Sequence, residues 1–384
     1  MDVQKQIDKY SEAIWKYQLP HEEEMFLYDL MDGKKSTNYK YSIDSDYSLY
    51  LAYNASKHKY EGYDEEQIRS LKEILNLHHV RNLMKLPSMA KVFRLMNAAG
   101  IIPVLVKGAA LMCYYAPDIP RMMGDIDLYI APEHFDEALT LLYDNGFEFV
   151  SDTGYHVAVT SKNLDIDVHR YIYKNGGDKD SGIYERLIQC TFLGCDVCVL
   201  SPEDMLLHQL ANRGLDICTC NHVDRHFKWI VDCRYIMNFC SPGIGDLIGK
   251  ANEVNNLYYT QLTLTKFVAL FPELFADKYP EISDKKYLKW IKCAEKIIAI
   301  NEKYSDKNAK GLKYIISYRF CDEWNKAKME KIFPGRDGTV LGLMLKRLGI
   351  SSAGDFKYRL RRVVKESKKG VNSDIELADR RTDK

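Results

Sequence analysis

Apolar residues recur every three or four positions through EEQIRSLKEILNLHHVRNLMKLPSMAKVFRLMNAAG (65–100), the spacing that lines one face of a helix. Gly100 supplies its stop. The period then changes. IIPVLV (101–106) is a short continuous apolar run of the kind buried strands use, and Lys107-Gly108 closes it. AALMCYYA predicts a short helix that breaks at the loop from Pro117 to Pro120. DIDLYI (125–130) alternates polar and apolar residues, as a strand does. PEHFDEALTLLYDNG carries Pro132 near the first turn of a helix and Gly146 just past its end. FEFV, HVAVTS, LDIDVHRYIY and FLGCDVCVL are strand-like. From Ser201 the helical period returns: SPEDMLLHQLANRG has a Ser at the cap with Asp204 three residues on, and HFKWIVDCRYIMNF is amphipathic.

These periods predict an α/β or α+β chain: a small mixed sheet over 101–200, between a helical region at 1–100 and a helical domain at 201–370. A polar, disordered tail is expected over 371–384. The 384 residues suffice for a sizeable core without covalent staples. No run approaches the roughly 18 apolar residues that span a bilayer, and the N-terminus lacks an apolar export signal, so no transmembrane segment and a cytoplasmic location are expected. Ten scattered cysteines then read as reduced thiols. Lys plus Arg and Asp plus Glu both number 54, which argues against a general electrostatic grip on nucleic acid. A basic stretch at 357–369 offers one local exception.

The chemistry concentrates in two acidic strands. Side chains two apart on a strand share a face, so Asp125 and Asp127 are expected to point one way and Ile126, Leu128 and Ile130 the other. In LDIDVH (164–169), Asp165, Asp167 and His169 share a face. If the two strands pair, Asp167 joins Asp125 and Asp127. Grouped carboxylates repel unless a cation neutralises them, and hard oxygens suit Mg²⁺. Three of them can hold two ions, one to activate a hydroxyl and one to hold a triphosphate. The plain alternative is a pair of edge strands with solvated aspartates. Gly108 lets the backbone approach a phosphate, and Lys107 either adds a charge to it or is solvated. Arg121 either binds phosphate or pairs with a carboxylate. His169 reads more readily as a satisfied buried histidine than as a contact to an acceptor. Cys218, Cys220, His222 and His226 have donors for zinc, but the cysteines stand too close for the usual spacing. Cys195 and Cys198 fall on opposite strand faces, which argues against a redox pair.

AAGIIPVLVKGAAL (98–111), RMMGDIDLYI (121–130) and LDIDVHR (164–170) together resemble the uncharacterised nucleotidyltransferase family of the DNA polymerase β-like superfamily. SPEDMLLHQL (201–210) and FKWIVDCRYI (227–236) are similar to its helical half. The resemblance implies a polymerase β-type palm. In it Asp125, Asp127 and Asp167 bind Mg²⁺ or Mn²⁺ and act in catalysis, and Gly108 sits in the glycine turn; Lys107 and Arg121, on the local reading above, are expected to join Gly108 in contacting the nucleotide. It implies transfer of a nucleoside monophosphate from an NTP such as ATP to an acceptor, with release of pyrophosphate. The acceptor is a small molecule, a peptide or protein, or RNA. Alternatives are a toxin-like enzyme acting on tRNA and an inactive nucleotide-binding scaffold. One departure stands out: the superfamily's usual Gly-Ser turn is Gly108-Ala109 here, which removes a hydroxyl from the phosphate site.

Overall fold

The computed structural model describes residues 46–112, 114, 121, 123–173, 182–219 and 228–275, with parts of 285–297 and 324–347. The tail at 371–384, the basic stretch at 357–369, the Pro117–Pro120 loop and Cys220, His222 and His226 lie outside the described residues. The chain divides into two compact units, one of 18–213 with 225–279 and one of 1–17, 214–224 and 280–384. The first carries the sheet. Among the described residues no helix is long and apolar enough to cross a membrane.

Helix α1 (Asp46–Lys57) precedes the long helix α2 (Glu65–Ala98). Asp64 caps α2: its carboxylate accepts from the Gln67 backbone at 2.8 Å, and the Gln67 side chain accepts from the Asp64 backbone at 3.1 Å. Gly100, at φ +76°, makes the left-handed turn that ends it. Strand β1 (Val104–Val106) runs directly into α3 (Lys107–Leu111). Strand β2 (Ile126–Tyr129) follows, and after a single turn at 132–134 comes α4 (Phe135–Asp144). Strands β3 (Glu148–Asp152), β4 (His156–Ser161), β5 (Leu164–His169), β6 (Ile188–Phe192) and β7 (Cys195–Val199) complete the sheet. Residues 202–213 of helix α5 (Pro202–Thr219), with α6 (Lys228–Ile236), α7 (Ile244–Glu253) and α8 (Leu257–Leu270), belong to this unit, and residues 214–219 and α9 (Val340–Arg347) to the other.

The seven strands form one mixed sheet in the order β3-β4-β5-β2-β1-β7-β6. β2 pairs with β5 in parallel and β1 with β7 in parallel, while the other neighbours are antiparallel. The mixed α/β sheet with flanking helices is the architecture the periods predict. It has two departures. FLGCDVCVL is not one strand: Leu193 and Gly194, at φ +53° and +72°, form a tight turn between β6 and β7. Asp125 does not lie on β2, which begins at Ile126.

Pairing register sorts the sheet into two chemical faces. Val199, Leu105, Leu128 and Val168 are register partners across β7, β1, β2 and β5, and all are buried. The C-terminal half of α2 covers this apolar face with Met89, Val92, Phe93 and Met96. Phe93 meets Phe192 with ring centroids 6.2 Å apart. Asn97 clasps Asp196, donating to its carbonyl at 2.9 Å and accepting from its amide at 2.8 Å. The opposite face carries Asp127, Asp167, His169 and His156.

Candidate functional site

The parallel pairing of β2 with β5 sets Asp127 beside Asp167 and Tyr129 beside His169. The antiparallel pairing of β4 with β5 sets His156 beside His169 and Ala158 beside Asp167. Side chains of paired residues share a face, so three strands deliver two carboxylates and two imidazoles to one patch. Asp127, Asp167 and His169 each place one ligand atom within 4.8 Å of the others. His169 is fully buried, Asp127 nearly so, and Asp167 half-buried.

Asp127 Oδ1 is the focus of the contacts. Lys107 Nζ donates to it at 2.6 Å and His169 Nε2 lies 2.8 Å away. Both fall on Oδ1, and among the described residues Oδ2 accepts no hydrogen bond. Lys107 reaches Asp127 because Val106 pairs with Asp127 across β1 and β2 and the next residue turns sharply, at φ +48°. Burial alone would raise the Asp127 pKa. The Lys107 ammonium and the His169 hydrogen bond outweigh it and hold the carboxyl well below the usual range. Burial likewise opposes the charge on Lys107, and the Asp127 carboxylate reverses that and raises its pKa. Desolvation pushes His169 down to about 4 despite its hydrogen bond to Asp127, so its imidazole is neutral at neutral pH. A neutral imidazole is the form that can ligate a metal.

A second layer holds these groups. The Tyr155 ring meets His169 edge-on at 4.7 Å, and the His156 ring lies 5.2 Å from it. His156 Nε2 stands 3.5 Å from Asp167 Oδ2, and its Nδ1 is 3.4 Å from Thr153 Oγ1. From α5, fully buried His208 bonds the Ile172 carbonyl at 3.1 Å and Asn212 at 2.8 Å. Tyr155 donates to the same Ile172 carbonyl at 3.2 Å. Burial, with the Lys107 charge adding to it, lowers the His208 pKa to about 3.

The remaining expected residues fall in different places. Asp125 is exposed in the bend before β2 and is not one of the three converging groups, although its charge acts on Lys107 and Lys85. Of the two readings of Arg121, the structure takes the carboxylate. Its Nε and Nη2 form a bidentate pair with Asp232 of α6 at 2.9 and 3.0 Å, both residues being buried. Its Nη1 donates to the Gly108 carbonyl at 3.0 Å. Arg121 therefore braces the Lys107-Gly108 turn from behind. A Cβ on Gly108 would lie 3.5 Å from Arg121 Nη1, an ordinary contact. Lys85 of α2 donates to the Met123 carbonyl at 2.6 Å and also to that of Gly124, while Asn82 donates to the Arg121 carbonyl at 2.9 Å. These bonds fix the approach to β2.

Sequence reasoning missed Asp232, His208, His156 and Lys85. Two of them carry a signal: Asp232 within KWIVDCRYI and His208 within MLLHQL interrupt apolar stripes, where a polar residue needs a partner.

The family model described as "Uncharacterised nucleotidyltransferase" matches residues 35–265. No curated protein sequence matches the chain. Among solved structures, an antigenic nucleotidyltransferase-like protein from Paracoccidioides brasiliensis is similar at 19% identity and a TM-score of 0.37, over 49% of this chain and 89% of that one.

Proposed function

Since the chain belongs to the uncharacterised nucleotidyltransferase family, matched over residues 35–265, we propose that it transfers a nucleoside monophosphate from an NTP to an acceptor hydroxyl at the Asp127–Asp167–His169 patch. The observation that carries this reading is the in-register pairing of Asp127 with Asp167 on parallel strands, which directs two carboxylates to one point on the sheet. The donor set fits a divalent cation: two carboxylates and an imidazole converge, and Asp127 Oδ2 accepts no hydrogen bond among the described residues. When bound, such an ion, Mg²⁺ or Mn²⁺, would neutralise triphosphate oxygens and acidify the attacking hydroxyl.

The protein's own groups divide the remaining work. Lys107, its side chain 29% exposed and its ammonium on Asp127, would lend that charge to a phosphate oxygen. Asp167, half-buried and beside His156, stands where it can accept the acceptor's proton. Arg121 holds the Gly108 carbonyl and so keeps the turn that aims Lys107. Asp125, exposed ahead of β2, is available to the acidic group from outside it.

The test incubates the purified protein with each labelled NTP, Mg²⁺ or Mn²⁺, and cell extract as the acceptor source. Label transfer with pyrophosphate release is expected from the native chain and at least about 100-fold less from Asp127→Asn and Asp167→Asn. Equal turnover in both variants refutes the site. A second reading, a nucleotide-binding scaffold without transfer, is favoured by the Lys107–Asp127 ion pair, which already neutralises the central carboxylate. It predicts NTP binding with no pyrophosphate released.

A further inference from the structure

Two of the three carboxylates expected from sequence, Asp127 and Asp167, lie in the group that converges. A nitrogen takes the third place: the His169 imidazole joins Asp127 and Asp167, and Asp125 is not in this group. Imidazole in the coordination sphere changes which ion is favoured. Mg²⁺ prefers six oxygens in a tight octahedron. Two carboxylates with one imidazole suit first-row transition ions, whose affinity for nitrogen rises from Mn²⁺ onward.

His169 cannot turn away from the patch. It is fully buried, the Tyr155 ring stands edge-on to it at 4.7 Å, and the His156 ring lies 5.2 Å away. Its Nε2 is held 2.8 Å from Asp127 Oδ1 by a hydrogen bond, whose proton an ion bound to both groups would displace. His156 adds a second imidazole behind Asp167, 3.5 Å from Oδ2 and steadied by Thr153. A hydrogen-bonded ligand of this kind is oriented before the ion arrives.

We infer that the patch is a carboxylate–imidazole centre in which His169 Nε2 is a direct ligand, so that it selects Mn²⁺-class transition ions over Mg²⁺. The inference rests on the proposed nucleotide-transfer reading for the site's location but not for its own test. That test uses Mn²⁺ itself as the probe on the full-length protein. Electron spin-echo spectroscopy of the bound ion is expected to show coupling to one directly bound ¹⁴N. Magnesium competition followed by Mn²⁺ electron paramagnetic resonance is expected to give at least about ten-fold tighter binding of Mn²⁺. In His169→Gln the nitrogen coupling disappears and the preference falls towards parity, while His156→Gln retains the coupling. A native spectrum without nitrogen overturns the inference whatever the variants do, as does coupling that persists in His169→Gln. Nitrogen-free Mn²⁺ binding alongside normal Mg²⁺-supported transfer overturns the inference alone. Failure of the site to bind either ion overturns both readings.

Discussion

Replacing Arg121 by Ala leaves the Asp232 carboxylate buried with its bidentate partner gone. Arg121 and Asp232 are only 7% and 2% exposed, so water cannot take over the lost bonds. Removing one member of such a pair costs about 3–5 kcal/mol. The Gly108 carbonyl also loses the Nη1 donor, worth about 1 kcal/mol. Asp232→Ala is expected to cost a similar amount, about 3–5 kcal/mol, because it takes the carboxylate from the buried guanidinium. The double variant Arg121→Met with Asp232→Leu removes both charges at near-constant volume. It is expected to sit within about 2 kcal/mol of the native chain, the residue being mainly the Gly108 bond. The assay is urea denaturation, followed by circular dichroism, of the native chain, the two Ala variants, and Arg121→Met, Asp232→Leu and their combination, the last three with the native chain closing the cycle that gives the pair's coupling. The reasoning predicts a coupling above about 3 kcal/mol. Single variants that each lose under about 1 kcal/mol, or a double variant that loses the sum of the singles, would refute it.

Three further outcomes follow from the same contacts. His169 and His208 titrate at about 4 and about 3 in the folded chain, below the usual 6.5, so the unfolded chain takes the proton first as pH falls. Their stabilising contribution is full above about pH 6.5 and drops by about 2 kcal/mol each between pH 7 and 5 in EDTA. A urea midpoint unchanged over that range contradicts this, and His208→Gln should remove about half the loss. Asp64→Ala removes the carboxylate of the α2 capping box and should cost about 1 kcal/mol, read as a lower thermal midpoint; no change would mean the box is not made in solution. Lys107→Met should raise the KM for the NTP by about ten-fold or more if the ammonium reaches phosphate, and leave it unchanged if Lys107 serves only Asp127.

Much of the architecture is legible because burial imposes a period. The amphipathic spacing of α2 and its Gly100 stop are local signals, and they lie where the pattern puts them. The approach of Asp127 to Asp167 is half legible. Alternation in DIDLYI and LDIDVH predicts a shared face for each strand's acids, but only the parallel register brings the two faces together. Asp125 shows the limit of periodicity: strand pairing starts at Ile126, so the alternation that places Asp127 says nothing about the residue ahead of it. The β6–β7 turn escaped because Leu193 occupies a left-handed position that sequence statistics assign to Gly or Asn. Asp232 meets Arg121 from 111 residues away and His208 meets Ile172 from 36, and no local pattern names those partners. Arg121 illustrates the same point, since only the folded arrangement chooses between phosphate and carboxylate.

The most direct test of the central claim is anomalous diffraction from crystals soaked in Mn²⁺. A peak bonded to Asp127, Asp167 and His169 Nε2, at roughly 2.0–2.3 Å from each, is expected. A peak held by Asp125 away from the β2–β5 pairing, or no peak on this face at millimolar Mn²⁺, would contradict it.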